Sequence, residues 1–169
     1  MLIDKMINVF GVENCLILIG SSNTLNSRTP FSFRLRKKML NTLYPKLKVL
    51  PVPDSTPNLS HYSEKGNRIW FKTVKKIERR LGAKFIFFGG SKKDLGVLSQ
   101  RYKTRVLLSR KLAGKDISAT KVRKALITGD GKTISKLVDT RVTKLILGRR
   151  LIDWPADFYT PILRSYPKI

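Results

Sequence analysis

The chain has 169 residues, 41% hydrophobic and 27% charged, which is the make-up of one ordinary globular domain with a real core. The longest apolar runs, Cys15–Ile19 and Phe85–Phe88, fall far short of the roughly 20 residues that cross a bilayer, and Met1–Phe10 lacks the basic start and cleavage site of a secretory signal. With 35 Lys and Arg against 11 Asp and Glu the net charge is +24, a field that gathers nucleotides, polyphosphates, nucleic acid or acidic lipid.

No membrane role is expected, because the basic helices lack a strongly amphipathic aromatic face. A general lysine-rich bias gives the same charge excess, and the basic residues are spread along the chain, so composition names no partner. One cysteine, Cys15, excludes an internal disulfide framework and fits the cytoplasm or another reducing compartment. One histidine, His61, leaves too few soft ligands for an all-protein zinc site.

In chain order, Leu2, Ile3, Met6, Ile7 and Phe10 recur at three- and four-residue steps and predict an amphipathic helix over Met1–Phe10. Cys15–Ile19 is a continuous apolar run ending at Gly20-Ser21, the pattern of a strand buried on both faces. Ser32 is placed to cap a basic helix over Phe33–Leu43 that closes near Pro45. Lys48–Val52 predicts a strand with Pro51 at its end. A polar loop, Pro53 to Gly66, contains His61 and precedes a helix over Arg68–Leu81 with the stripe Trp70, Val74, Ile77 and Leu81.

Gly82 stops that helix, and Lys84–Phe88 predicts a second buried strand, ending at Gly89-Gly90-Ser91. A shorter helix over Lys93–Gln100 and a strand over Arg105–Leu108 follow. Ser118–Ile127 predicts a helix stopped by Gly129, with further helix over Ile134–Val138 and Arg141–Leu147. Residues 1–150 are expected to form one α/β domain, and 151–169 an irregular tail packed on it. Buried strands alternating with helices predict a parallel sheet, whose ligands bind beyond the C-terminal strand ends. Those ends carry Gly20-Ser21, Pro53-Asp54, Gly89-Gly90-Ser91 and the loop into Ile117-Ser118.

The sharpest local pattern is Ile117-Ser118-Ala119-Thr120-Lys121-Val122-Arg123. Ser118 caps a helix whose first-turn N–H groups face outward; Thr120 adds a hydroxyl, and Arg123, one turn on, a charged fork. Together they form a phosphate site at a helix N-terminus, where the macrodipole favours negative charge. The same residues also describe an ordinary capped helix with a solvated arginine.

Asp116 to Arg123 closely resembles the Ile-Ser-x-Thr-x-x-Arg motif of the nucleotidyltransferase superfamily, which includes the nicotinamide-mononucleotide, phosphopantetheine and cytidylyl transferases. Other segments fall in the order of the nicotinamide-mononucleotide adenylyltransferases. Leu16–Ser22 resembles a strand ending in Gly-Ser. Thr29-Pro30-Phe31-Ser32 with Arg36 resembles an Asn-Pro-Phe-Thr-x-x-Glu-Arg segment, with Leu35 where the Glu would stand. Pro51-Val52-Pro53-Asp54 resembles a Val-Pro-Asp strand end, Trp70 a tryptophan on the next helix, and Gly89-Gly90-Ser91-Lys92-Lys93-Asp94 a Gly-Ser/His-x-x-Asp turn. The resemblance spans Met1–Gly148.

It implies a doubly wound, mostly parallel Rossmann-like sheet and transfer of an adenylyl group from ATP to nicotinamide mononucleotide, with pyrophosphate released, as in NAD biosynthesis. Ser118, Thr120 and Arg123 would hold the ATP phosphates, with Mg²⁺ bridging their oxygens, and Ile117, Gly20 and Ser21 would belong to the same nucleotide site. Gly89, Ser91 and Asp94 would lie near the adenosine. Arg36, Asp54 and Trp70 would meet the acceptor, Arg36 by charge pairing and Trp70 by ring stacking. Trp70 also reads as a core residue of its helix stripe, and Arg36 as one more solvated charge. A homo-oligomer is the expectation the family brings.

The family's His-x-Gly-His motif, at the end of its first strand, has no counterpart, since His61 is the one histidine and sits in a loop. Met1–Phe10 matches the helix after that motif, so the first, central strand is expected to be missing. Three explanations follow in order: a truncated start of a longer enzyme, a strand supplied by a partner, or a repacked domain without catalysis. The competing function is a basic, non-catalytic module that binds RNA or a ribonucleoprotein.

Overall fold

The computed structural model describes residues 2–26, 28–54, 64–90, 92–107 and 118–147. The apolar stripe of the first segment forms helix α1 (Leu2–Phe10), with Asp4 in its first turn, where a carboxylate suits the helix dipole. Strand β1 (Leu16–Ile19), helix α2 (Phe33–Leu43), strand β2 (Lys48–Pro51) and helix α3 (Glu64–Leu81) follow. Then come strand β3 (Ile86–Gly89), a single helical turn α4 (Lys92–Leu95), a 3₁₀ turn at Leu98–Gln100 and strand β4 (Lys103–Val106). Helices α5 (Ala119–Ile127), α6 (Gly131–Leu137) and α7 (Thr140–Leu147) complete the described chain. The expected tail, 151–169, lies outside the described residues.

The protein is therefore mixed α/β, with short parallel strand pairs. It divides into two compact units, Met1–Gly20 with Lys46–Asp116, and Ser21–Pro45 with Ile117–Ile169. In the first unit β1 pairs with β2 in parallel, Leu16 opposite Lys48 and Ile19 opposite Pro51. The Val52 N–H extends that ladder to the Ile19 carbonyl at 2.9 Å. β3 pairs with β4, also in parallel, Ile86 opposite Lys103 and Gly89 opposite Val106. Among the described residues these are two separate two-stranded sheets.

Val49, Val52, Val74, Phe71 and Ile77 make the buried centre of this unit. Each such side chain contributes about 1.5–3 kcal/mol of burial. Aromatic rings extend the packing: Phe87 meets Tyr102 edge-on at 4.9 Å, and Phe71 lies 6.0 Å from Tyr102. Glu78 of α3 ties the strands to the helix, since its carboxylate accepts the Phe85 N–H at 2.7 Å and the Tyr102 hydroxyl at 3.4 Å. Burial first, and the Glu78 charge second, push the Tyr102 phenol above its ordinary pKa.

Three sequence expectations are corrected. α3 starts at Glu64 instead of Arg68 and includes Gly66; Glu64 sits at the positive helix end and pairs with Arg68 at 2.9 Å one turn on, a small contribution beside the buried stripe of the helix. The helix expected over Lys93–Gln100 breaks at Gly96 into α4 and the 3₁₀ turn, and β4 lies two residues before Arg105–Leu108. The third concerns burial: β1 and β3 are not buried on both faces. Leu16, Ile17, Leu18, Phe87 and Phe88 are half-buried, and Ile86 is 44% exposed. Among the described residues each strand has a neighbour on one edge, and its apolar side chains stay partly uncovered.

The second unit is helical. α5 packs on α6, α6 on α7 and α7 on α2. Ile134, Val142 and Ile146 are its buried apolar centre with Ala125. Thr143 is buried with them, and its backbone N–H reaches the Asp139 carbonyl at 2.8 Å.

Gly89 has a packing role. A Cβ there would stand 2.8 Å from Leu95 Cγ, closer than packed side chains allow, whereas a Cβ at Gly20 meets nothing within 4 Å. Gly89→Ala is expected to destabilise the fold by about 1–3 kcal/mol through overpacking, while Gly20→Ala stays within about 0.5 kcal/mol. Urea unfolding of the two variants beside the parent checks the difference.

Candidate phosphate-binding site

The second unit holds the residues that the local motif singled out. Ser118 is extended (φ −135°, ψ 147°), and its Oγ accepts the Lys121 N–H at 3.2 Å. One of the four orphan donors of α5 is thereby used, and the remaining first-turn N–H groups form the helix's positive end. Thr120 is exposed beside them, and Arg123 is half-buried. Arg123 reaches back one turn, its Nη2 donating to Thr120 Oγ1 at 3.2 Å. Its Nη1 donates to the Arg28 carbonyl at 3.4 Å. The hydroxyl and the guanidinium are thus held on the same side of the first turn.

The loop that supplies this carbonyl is shaped by Asn26, whose Oδ1 accepts the N–H groups of Arg28 at 3.1 Å and Thr29 at 2.9 Å. Asn26 and Arg28 were not among the sequence candidates. An Asn followed by Ser and Arg signals a turn, but nothing local says where its carbonyls point. Farther along, Ser32 caps α2 as expected, accepting the Leu35 N–H at 3.3 Å. Arg36, one turn into α2, donates from Nη2 to the Ser21 carbonyl at 2.6 Å. Ser21 has φ +49°, so a non-glycine residue in a left-handed conformation presents that carbonyl.

Ser118, Thr120 and Arg123 are therefore brought together, and Ser21 is brought to Arg36. Gly20, Asp54, Trp70, Gly89 and Asp94 belong to the first unit. Gly20 is exposed and Asp54 half-buried. Trp70 packs its ring against Phe71 at 5.6 Å and Phe87 at 6.1 Å. Asp94 lies on the single turn α4. Ile117, Ser91 and His61 lie outside the described residues. Among the described residues no cluster of three His, Cys, Asp or Glu could hold a metal ion, and no helix is long and apolar enough to cross a membrane. Comparison with known protein families, with curated proteins and with solved structures gives no match.

The local charge balance around α5 favours an anion. Its first turn carries no acidic residue, and Lys121, Arg123 and Lys124 follow within the helix. Acid groups do occur at the next helix starts, where they serve as caps. Asp130 accepts the Thr133 N–H at 2.9 Å, and hydrogen bonding from Thr133 holds its carboxyl below the usual range. Asp139 is held down likewise by Arg141, at 3.0 Å.

Two outcomes are expected. Ser118→Ala removes the cap of α5 and costs about 1 kcal/mol, read as a loss of hydrogen-exchange protection in α5 with little change in α1. Because Asp130 titrates lower when folded than unfolded, its contribution is complete above the ordinary carboxyl pKa of about 3.9. It is lost as pH falls through the lower, folded value. Asp130→Asn should therefore narrow its stability gap to the parent as thermal unfolding is followed downward from pH 5.

Proposed function

We propose that this chain is a nucleotidyltransferase-like protein with the doubly wound, Rossmann-like architecture of that superfamily. In this reading it binds ATP with Mg²⁺ and transfers the adenylyl group to nicotinamide mononucleotide. The observation that carries it is the first turn of α5, where Ser118 caps, Thr120 offers its hydroxyl and Arg123 is fixed beside it at 3.2 Å. A polyphosphate laid there meets outward N–H groups, the positive end of a helix and a guanidinium fork that matches phosphate oxygens.

In the reaction, a phosphate oxygen of the acceptor attacks the α-phosphorus of ATP. The bond from that phosphorus to the bridging oxygen breaks, and its electron pair leaves with pyrophosphate. Charge on the departing group is what Arg123 and the α5 N–H groups neutralise, with Thr120 positioning an oxygen. Mg²⁺ bound to the nucleotide would supply further charge neutralisation, with Thr120 and Arg123 holding the phosphates. Within the second unit, Ser21 belongs to the nucleotide contacts in this reading. Arg36 serves the acceptor with the guanidinium that also holds the Ser21 carbonyl.

With one histidine in the sequence, no step is assigned to a histidine pair, and the contribution assigned to Thr120 and Arg123 is positioning with charge neutralisation. Nucleotide affinity should therefore survive where turnover is slow. A reducing compartment and a homo-oligomer belong to the same reading. Titration calorimetry of ATP with Mg²⁺ tests it. Arg123→Ala should weaken binding by about 1.5–3 kcal/mol, the worth of a charge-assisted hydrogen bond. Arg123→Lys should recover part of that loss but not all, since the fork is replaced by a point charge. Equal affinity of parent and Arg123→Ala would overturn the proposal.

The net charge of +24 favours a second reading, a non-catalytic module that holds RNA through its basic surface. That reading expects RNA affinity to fall steeply as salt rises from 0.05 to about 0.2 M, each neutralised phosphate releasing counterions. Filter binding across that range checks it, and a flat salt profile removes it.

A further inference from the structure

Helix α3 is 18 residues long and divides by charge. Phe71, Val74 and Ile77 recur at three-residue steps and are buried in the first unit. Arg68, Lys72, Lys75, Lys76, Arg79 and Arg80 recur at steps of three and four, and all six are exposed. At about 100° per residue these cations share an arc of about 140° on the side away from the buried stripe. They extend over about 18 Å of helix axis.

The acids of α3 do not balance this row. The Glu78 carboxylate is taken by the Phe85 N–H at 2.7 Å and the Tyr102 hydroxyl at 3.4 Å. Glu64 pairs with Arg68 at 2.9 Å. Among the described residues no carboxylate pairs with Lys72, Lys75, Lys76, Arg79 or Arg80. A solvated surface helix ordinarily mixes both signs, because opposite charges four residues apart stabilise it. Here the four-residue pairs Lys72–Lys76, Lys75–Arg79 and Lys76–Arg80 are all like-charged, which works against the helix. The buried stripe holds α3 in place regardless. Arg101 adds a cation at the flank, its guanidinium 5.3 Å from the centre of the Phe71 ring, one turn before Lys75.

A polyanion relieves the repulsion, and the surface itself selects the kind. A bilayer is met by an apolar face beside the charges, whereas the apolar face of α3 is buried in the core. A protein partner needs apolar or aromatic anchors at the centre of the contact, and from Lys72 onward the row presents none. A nucleic-acid backbone needs neither, since it is a regular line of phosphates answered by lysine and arginine. We propose that the outer face of α3, from Arg68 to Arg80, is an RNA-binding surface that follows the phosphate backbone without reading bases. No Asn, Gln or aromatic side chain stands within the row from Lys72 onward to reach a base. The proposal rests on the reading of a basic module that holds RNA, and it names the surface that does so.

Fluorescence anisotropy of a labelled oligouridylate, titrated with the full chain over a range of salt, tests it. One variant removes three charges from α3, as Lys72→Gln, Lys76→Gln and Arg79→Gln. A second removes three exposed charges from α2, as Arg34→Gln, Lys37→Gln and Lys38→Gln, so the two have equal net charge. Glutamine is a good helix former, and both variants should unfold at the temperature of the parent. The α3 variant should bind at least about tenfold more weakly at about 0.1 M salt, with a log–log salt slope shallower by about two. The α2 variant should stay within about twofold of the parent. Equal losses in the two variants would overturn the α3 assignment while leaving RNA binding in place. A parent that does not bind, or binds without dependence on salt, would remove the RNA reading and the proposal with it. Unchanged RNA affinity in the α3 variant would also overturn it, and a loss of binding to phosphatidylglycerol vesicles in that variant would then give the surface to a membrane. Should a variant fail to fold, lysine acetylation is read on the parent. RNA should shield Lys72, Lys75 and Lys76 and leave Lys37 and Lys38 reactive, and equal shielding overturns the proposal.

Discussion

Strand edges must find hydrogen-bond partners, and most of what is unusual in the first unit follows from two edges that have no strand beside them among the described residues. Among the described residues β1 and β3 each have one neighbour, and residues of both strands line a groove. The apolar run Leu16–Leu18 consequently stays half-buried, and Ile86 is 44% exposed although it sits in the middle of a hydrophobic run. Elsewhere an edge is handled in the ordinary way. β4 carries Lys103 and Arg105, both exposed, and charged side chains discourage further pairing on an outer edge. The contrast between a charged β4 and an uncharged β1 and β3 marks the latter as inner strands by composition.

The second unit answers a different constraint. Its helices are short, from seven to eleven residues, and a helix of that length is marginal without caps and a buried face. Ser32, Ser118 and Asp130 supply caps at α2, α5 and α6, and Ile134 and Ile146 supply the buried centre. Capping also decides which helix start is electrostatically free for an anion. α6 begins on the carboxylate of Asp130, which already answers the helix dipole. α5 begins on the neutral hydroxyl of Ser118, and its first turn holds no acid. The difference is chemical and local, one aspartate against one serine.

Much of this was legible in the sequence, and the reason is range. Spacing, caps and stops within a few residues set α1, α2, α5 and the end of α3: Ser32 before α2, Ser118 before α5, and Gly82 and Gly129 with positive φ after α3 and α5. Thr120 and Arg123 met because three residues is one helical turn. What was not legible depended on partners distant in sequence. Nothing in Phe85–Phe88 distinguishes a strand covered on both faces from one with an open edge. The carbonyl of Arg28 reaches Arg123 across 95 residues, and its direction is set by the turn at Asn26. Gly66 reads as the end of a loop because glycine is a weak helix former, whereas α3 starts at Glu64 and includes it, its long apolar stripe outweighing one glycine near the end.

The same distinction of range separates recognition from catalysis. A phosphate site made of six consecutive residues, Ser118 to Arg123, requires only that α5 forms and that the Asn26 turn holds the arginine. It does not require the strand edges of β1 and β3 to be filled. Turnover is different, because adenylyl transfer needs acceptor and donor held within bonding distance by elements far apart in the chain, and small displacements there are costly. Loss of strand pairing would therefore weaken the chemistry well before it weakened anion binding. Anion binding at α5, as proposed, and the pairing of β1 and β3 are therefore separate questions, the first local to six residues and the second dependent on partners distant in the sequence.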